Sequence, residues 1–443
     1  MPASETRTDS RGVRTHPLSS VVQGGIYAGV AAVAVFSGLT RNTEDVVVRL
    51  VATLGALLLG FVAGSVQWWF TRYVIDGTEI RVHTGAVFKS SRRIPFERLQ
   101  SVDISEPIFA RVFGLAELRL EMAGGGKSRT TLRYLPLGDA RSLRRLILER
   151  AHGRAADDRM DGAVEDDFGD FAPANQSVIC RVGPARVLQA AVLSLDFAAL
   201  TLVLAVVVGV GMIADTVIGA LAATFPLALA WLQFLSRRVI GQWEFMLTDT
   251  PSGLRIQRGL LTRSSQTLPF DRIQGVASVE PLIWRQLGWR RLDVDVAGYA
   301  SSDDETSSKP STTLLPVADR PLAFRVIERI LPGACENQME HTGVSAKSRW
   351  FAPIGWRFRW LGVGSTTICS ATGWITRRVS LVPHHKTQSV ALRQGPLQRL
   401  LGLATLDVHT PDGPVRARVK HLDAPAARRQ AVEQLTRARQ ARN

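Results

Sequence analysis

The sequence predicts a multi-domain membrane protein: two transmembrane helical hairpins, four helices in all, carrying three copies of a small β-barrel module that each end in a helix. Two observations lead there. Gly85, Pro95, Gln100 and Gly114 are matched by Gly259, Pro269, Gln274 and Gly288, and again by Gly373, Pro383, Gln388 and Gly402, always at intervals of 10, 5 and 14 residues. A fixed period of this kind marks one supersecondary unit used repeatedly. Four apolar runs, Ser20 to Leu39, Leu50 to Phe70, Leu188 to Ala214 and Val217 to Leu235, have about the length that crosses a bilayer, and they stand as one pair ahead of each of the first two copies.

Taken in order, residues 1–19 form an N-terminal cytoplasmic segment and 20–70 the first hairpin. The first run is too long, and too soon followed by another, for a cleaved signal peptide. Arg7, Arg11 and Arg14 precede the first span, Arg72 follows the second, Arg181 and Arg186 precede the third, and Arg237 and Arg238 follow the fourth. The short turns between paired spans hold Asp45 and Asp215 instead. The positive-inside rule then sets both termini and all three modules on the cytoplasmic side of a multi-pass cell membrane protein. Trp68, Trp69 and Trp231 lie near span ends, where indole rings favour the headgroup level. Arg49, next to the outer turn, is placed to snorkel.

The first module occupies 71–152. Tyr73 to Ile75 and Thr78 to Val82 flank Asp76-Gly77, a strong hairpin signal. Strands follow at Arg93 to Phe96, with a strand-start proline, at Leu118 to Met122, and at Thr130 to Tyr134 after a turn over Ala123 to Lys127. Asp139 to His152 has helical spacing with Asp139 as N-cap. An acidic linker, 153–186, leads to the second hairpin at 187–235; the second module, 244–331, repeats the strand order and closes with Arg320 to Leu331. Residues 332–355 read as a polar linker, and the third, divergent module covers 356–440, with an Asp412-Gly413 turn and a terminal helix over Ala424 to Gln440. Within the two linkers, Asp157 to Asp170 and Pro332 to Ser348 are expected to be flexible tethers.

The residues around the anchors carry a family likeness. Ile94-Pro95-Phe96-Glu97-Arg98-Leu99-Gln100 and Leu268-Pro269-Phe270-Asp271-Arg272-Ile273-Gln274, with Glu106-Pro107 before Gly114 and Glu280-Pro281 before Gly288, resemble the bacterial pleckstrin-homology-like domains found in tandem on multi-span membrane proteins. The resemblance covers 71–150 and 244–331 well and 356–440 loosely. It implies three PH-like, partly open seven-stranded barrels, each with a C-terminal helix and without catalytic residues. The third copy departs with Val382-Pro383-His384-His385 and with Gly395-Pro396 in place of the Glu-Pro pair.

The net charge of +15, from 54 basic and 39 acidic residues, fits an anionic leaflet beside cytoplasmic modules better than nucleic acid, because no helix carries a dense basic stripe with interleaved aromatics. Candidate headgroup contacts are the basic residues after the first anchor glycine of each copy: Lys89, Arg92 and Arg93, then Arg263, then Arg377 and Arg378. Each would contribute about 1 kcal/mol against inner-leaflet phosphates. Asp196, inside an apolar run, is the one candidate for an intramembrane functional group. The recurring glutamines are expected to bond the barrel backbone.

No enzyme, cofactor or metal site is expected. Gly124 to Ser128 lacks the earlier glycine and the strand-to-helix context of a phosphate loop. His384-His385 has no neighbouring ligand, and adjacent strand residues point to opposite faces. Cys180, Cys335 and Cys369 have no paired spacing. The functional expectation is a lipid-proximal binding or scaffolding device with membrane lipids and a protein partner, in envelope stress or resistance to membrane-active agents. Two alternatives stand beside it: a transporter or channel component using Asp196, and an adaptor that recruits protein through an exposed barrel edge without binding lipid.

Overall fold

The computed structural model describes residues 13–14, 46–69, 72–75, 79–84, 90–96, 99–122, 129–152, 177–213, 217–251, 253–297, 312–334, 339–411, 413 and 415–442. The run Ser20 to Leu39, the turns at Asp76-Gly77 and Ala123 to Lys127, most of the acidic linker and Lys89 lie outside the described residues. The chain divides into two compact units, 1–176 with 261–266, and 177–260 with 267–443.

In the first unit, β1 (Val13–Arg14), β2 (Arg72–Ile75), β3 (Glu79–Thr84) and β4 (Ser90–Pro95) form an antiparallel sheet in that order. The helix α1 (Val46–Trp69) comes between β1 and β2. A second meander follows: β5 (Leu99–Pro107), the short α2 (Ile108–Val112), β6 (Leu115–Met122), β7 (Arg129–Pro136) and α3 (Leu137–His152). The core draws Ile80, Ile94 and Phe96 from the first sheet, Ile104, Leu118 and Leu120 from the second, and Ala140, Leu143 and Ile147 from one face of α3. Because α3 begins at Leu137, Asp139 falls inside its first turn and is not the N-cap expected from sequence. Thr262–Ser265 of the second copy also belongs to this unit, paired with Ile104–Pro107.

The second unit opens with β8 (Ser177–Val182), followed by the helices α4 (Pro184–Val192), α5 (Leu195–Ile213) and α6 (Val217–Ile240). β9 (Phe245–Thr250) then pairs with β8, and β10 (Gly253–Arg258) with β9. The helices are therefore inserted between the first and second strands of the second copy. The single apolar run expected over 188–214 is broken: Ser194 donates to the Ala191 carbonyl at 2.6 Å and accepts from the Phe197 backbone N–H at 3.3 Å, ending α4 and capping α5. Taken singly, no helix among the described residues is long and apolar enough to cross a membrane. The pair Pro184–Val192 and Leu195–Gly211, bent by 57°, could do so by length and composition. Large apolar side chains nevertheless stand exposed along α1 (Val51, Leu54, Leu58, Leu59), α5 (Leu202, Val206, Val210) and α6 (Leu229, Leu232).

After β11 (Thr262–Leu268) come β12 (Ile273–Pro281), the short α7 (Leu282–Gln286), β13 (Trp289–Val296), β14 (Thr312–Asp319) and α8 (Arg320–Ile330). The third copy supplies β15 (Glu340–Gly343), β16 (Trp360–Val363), β17 (Thr367–Thr372) and β18 (Thr376–Pro383), then β19 (Ser389–Arg393), the short α9 (Pro396–Leu401), β20 (Leu403–His409), β21 (Ala417–Asp423) and α10 (Ala424–Gln440). Two segments expected to be linkers thus contain strands, β8 in 153–186 and β15 in 332–355. Neither was visible in the sequence, because β8 is short and the stretch Glu340-His341-Thr342-Gly343 in β15 carries no apolar alternation.

The repeat anchors have physical roles. Gly114, Gly288 and Gly402 sit at φ +67°, +70° and +67° immediately after or one residue beyond the short helices, a left-handed stop that glycine adopts at least cost. At Gly373 (φ +95°) an added Cβ would stand 1.9 Å from the Thr376 carbonyl oxygen, so the turn into β18 admits no side chain. Gln274 donates to the Arg272 carbonyl at 3.1 Å, the backbone role expected, whereas Gln388 is exposed.

The second and third copies share one seven-stranded sheet, ordered β14-β13-β12-β18-β17-β16-β15. β12 and β18 pair antiparallel, Val276 opposite Leu381 and Glu280 opposite Arg377. Side chains alternate across a strand, and here the alternation feeds two cores. Val276, Cys369, Ala371, Val379 and Leu381 join the core of the second copy. Their sequence neighbours Ala277, Ile368 and Val382 join that of the third, with Leu361 and Val363.

This partition makes a test. Leu381→Ala, a change in the third copy, should cost about 2–5 kcal/mol and raise amide hydrogen exchange in β9 of the second copy. Val382→Ala, its neighbour, should instead loosen β20. Equal effects of both variants on both strands would contradict the partition.

A candidate anion-binding cleft and its aromatic loop

The second unit contains a cavity of about 730 Å³ bordered by five arginines, Arg290, Arg320, Arg357, Arg359 and Arg377. They come from four places: Arg290 from β13, Arg320 from the start of α8, Arg377 from β18, and Arg357 and Arg359 from the segment between β15 and β16. Trp356, Trp360 and Phe324 add apolar surface, and none of the lining residues is acidic. Here Arg290 already has a carboxylate partner in Glu280, and guanidinium groups gathered around one cavity of ligand size favour an anion between them. Their planar forks suit the paired oxygens of a phosphate.

The nearby carboxylates are already engaged. Glu280 forms a buried ion pair with Arg290, 2.6 Å apart with side chains 6% and 5% exposed, and the Arg290 guanidinium lies 4.8 Å from the Phe324 ring centroid. That pair fixes Arg290 in a rigid frame, since loss of either partner would leave a buried charge uncompensated. Asp319, next to Arg320, is bonded by Arg186 of α4. The same Arg186 guanidinium lies 5.5 Å from the Trp289 ring, so it ties the inserted helices to the barrel. His341 stands edge-on to Trp360 at 4.4 Å and borders the cleft from β15.

Between β15 and β16, at the place where the first two copies carry helices, the third has a short loop. It runs through two single turns of 3-10 helix, Ala346–Trp350 and Trp356–Phe358. Trp350 is 75% exposed and Ile354 59%, with Phe358 also exposed, and Lys347, Arg349, Arg357 and Arg359 alternate with them. Arg357 lies 5.3 Å from the Trp356 ring centroid. Aromatic and basic side chains mixed in one exposed loop are the chemistry of a membrane interface, where rings sit at headgroup level and long cations reach phosphates.

The residues singled out by sequence have different surroundings. Arg377 enters the cleft. Its neighbour Arg378 points to the opposite side of β18, 4.0 Å from the buried Asp293, which Arg291 also meets at 3.0 Å. Burial lowers the pKa of Arg378 below the usual guanidinium range, with Asp293 opposing that shift. Arg263 stands opposite Glu106 in the first unit. Arg93 is exposed on β4, the side chain of Arg92 lies outside the described residues, and so does Lys89. Within the second unit, Arg377 and Arg378 thus do not share a site. Asp196 occupies the first turn of α5, just past the break in the bent pair, with Arg238 at 3.8 Å. At that position the carboxylate is favoured by the helix dipole.

Sequence reasoning missed Arg290, Arg320, Arg357 and Arg359. The signal that could have found the last two is Trp356-Arg357-Phe358-Arg359-Trp360, which straddles the expected start of the third module. His384 stands where the other copies have Phe96 and Phe270, buried, its Nε2–H donating to the Gly364 carbonyl at 3.1 Å. Burial pushes its pKa below the usual histidine value, and the Arg437 charge acts in the same direction. Among the described residues no cluster of ligating side chains could hold a metal.

The profile of a family described as Bacterial PH domain matches residues 28–151, 190–334 and 344–441. The UPF0699 transmembrane protein YdbT of Bacillus subtilis (strain 168) is 23% identical over 284 residues, 60% of this chain. The matched region spans 57% of that relative's length.

The buried histidine gives a pH prediction. A depressed pKa means the unfolded state binds the proton more readily, so stability is full above about pH 6.5 and falls as pH drops through the folded-state value. His385 and His421 are shifted the same way and add to the slope. His384→Phe should remove up to one proton of this linkage, about 1.4 kcal/mol per pH unit, in denaturant titrations between pH 7 and 5. An unchanged slope would show that His384 is not buried neutral.

Proposed function

The chain belongs to the bacterial PH domain family, and from that premise we propose that it is a non-catalytic, membrane-seated binding protein whose second unit offers an arginine cleft to phosphate groups at the bilayer surface. The carrying observation is the cleft itself, five arginines and no acid around about 730 Å³. It stands beside a loop whose exposed tryptophan and isoleucine suit the headgroup region.

Membrane seating is supported by three further points. The similar Bacillus protein is named a transmembrane protein. The exposed valines and leucines of α1, α5 and α6 would be costly in water, at about 25 cal/mol per Å² of apolar surface. The bent pair α4–α5 together supplies a length that α4 lacks alone. In this reading the helices form the two hairpins expected from sequence, the arginines flanking them hold the modules and both termini on the cytoplasmic side, and the cationic surface faces an anionic leaflet. The basic residues Lys89, Arg92, Arg93 and Arg263 then act as general leaflet contacts rather than as parts of the cleft. A transport role for Asp196 is disfavoured by its pairing with Arg238.

The full chain in detergent tests this. Short-chain phosphatidylglycerol should change tryptophan fluorescence saturably, through Trp356 and Trp360, and the affinity should fall with salt. Arg359→Ala should weaken it on the order of tenfold, the loss of one charge-assisted hydrogen bond. Short-chain phosphatidylcholine giving the same response as phosphatidylglycerol, or Arg359→Ala leaving the titration unchanged, would rule out the cleft as the anion site.

A further inference from the structure

Three exposed apolar points of the second unit meet the end of α6. The first is the turn after β10: the Gly259 N–H donates to the Trp243 carbonyl at 2.9 Å and the Leu260 N–H to the Ile240 carbonyl at 3.0 Å, which fixes the exposed Leu260 beside the last residue of α6. The second is α7. The Arg238 guanidinium of α6 lies 5.9 Å from the ring centroid of Trp284, which is buried, while Leu282 and Leu287 at the two ends of α7 are exposed. The third is the turn before β18, where Trp374 and Ile375 are exposed. Arg285 of α7 donates to the Trp374 carbonyl at 3.1 Å and holds that turn against the helix. Leu260 and Trp374 each follow the first anchor glycine of their copy, Gly259 and Gly373, so the same repeat position supplies both turns.

Exposed leucine, tryptophan and isoleucine gathered at one place mark an interaction surface. The course of α6 says what covers this one. In the membrane-seated reading, on which this inference rests, the exposed Leu229 and Leu232 of α6 stand in hydrocarbon. Ile240 follows Leu232 by eight residues, about 12 Å at 1.5 Å per residue. The end of α6 therefore comes to the boundary between acyl chains and headgroups, and side chains fixed beside that end meet the same boundary. Cations accompany them: Arg285 within α7, and Arg377 two residues beyond Ile375, which also borders the cleft. A soluble protein would have to enter the headgroup layer to reach this face.

We propose that Leu260, α7 and the Trp374-Ile375 turn form an apolar foot beside the end of α6 and insert into the headgroup–acyl boundary of the leaflet that α6 leaves. The foot gives the second unit a fixed tilt. Held through α6 alone, the barrel would be free to turn about the helix axis, whereas a foot set to one side of that axis admits one orientation. Amphipathic indole and long arginine stems suit this depth, with rings at headgroup level and guanidinium groups at the phosphates. Because Arg377 follows the turn so closely, the same contact carries its guanidinium to phosphate level and opens the cleft at the bilayer surface.

Quenching from the two phases tests this. Four full-length variants, Ile375→Cys, Leu287→Cys, Val206→Cys on α5 and Arg429→Cys on α10, each with the native cysteines replaced by alanine, would be labelled with bimane. All four positions are exposed, so the labels leave the cores untouched. In vesicles of phosphatidylglycerol and phosphatidylcholine, lipids with a nitroxide on the acyl chain should quench the labels at Ile375 and Leu287 severalfold more than the one at Arg429. Aqueous iodide should quench them severalfold less. The label at Val206 separates this inference from the reading beneath it. Lipid quenching at Val206 without quenching at Ile375 and Leu287 would leave the helices in hydrocarbon and overturn the foot alone, whereas no lipid quenching at any of the three would overturn both. Labels at Ile375 and Leu287 reached by neither quencher would assign the face to contact with a second copy of the chain, and the proposal would fall.

Discussion

The antiparallel pairing of β12 with β18 is the constraint on which the second unit depends. It places two copies on opposite faces of a single sheet, so that neighbouring residues of one strand serve different cores. A strand with a two-residue side-chain period allows no slip in such a sheet, because a shift of one position would exchange both faces at once. It also explains a charge pattern that a single module does not need. Glu280 is buried with Arg290 on the β13 side and stands opposite Arg377 on the β18 side, and these two arginines border the cleft. The cleft is thus a consequence of sharing: β13 and α8 of one copy and β15, β16 and β18 of the next contribute its walls.

In the proposed reading, the insertion point between the first and second strands gives the copies different relations to a membrane. The second copy holds α4, α5 and α6 there, tied back through Arg186 to Asp319 and Trp289 and through packing of Val187 and Ala190 in the barrel core. The third holds a loop of sixteen residues, 344–359, rich in exposed aromatic and basic side chains. A helical insertion seats a barrel through hydrocarbon, whereas a loop of this composition suits the interface alone.

The repeat was legible because its anchors answer to backbone geometry: a left-handed glycine ending each short helix, and a proline ahead of a tight turn. The closing helices were legible from spacing, as with α10 over Ala424–Gln440. The first strand of the second and third copies was not. β8 is separated from its partner β9 by 62 residues of inserted chain, and β15 is a polar strand of four residues held by pairing rather than by its own pattern. Arg377 was found because it follows an anchor, while the other four arginines of the cleft come from three other segments that only the shared sheet brings together. A role in envelope stress has no residue to carry it. The break at Ser194 was hidden because a capping serine inside an apolar run is too small to interrupt its hydropathy.

The central claim, that one rigid two-copy body sets an arginine cleft against the bilayer with the Trp350–Ile354 loop at the interface, is tested most directly by depth. A nitroxide attached at Ile354→Cys in the full chain, reconstituted into vesicles containing phosphatidylglycerol, should show collision with dissolved oxygen above that of a label at Arg429→Cys and reduced access to a water-soluble nickel chelate. Equal access of the chelate to both labels would place the loop in water and contradict the account.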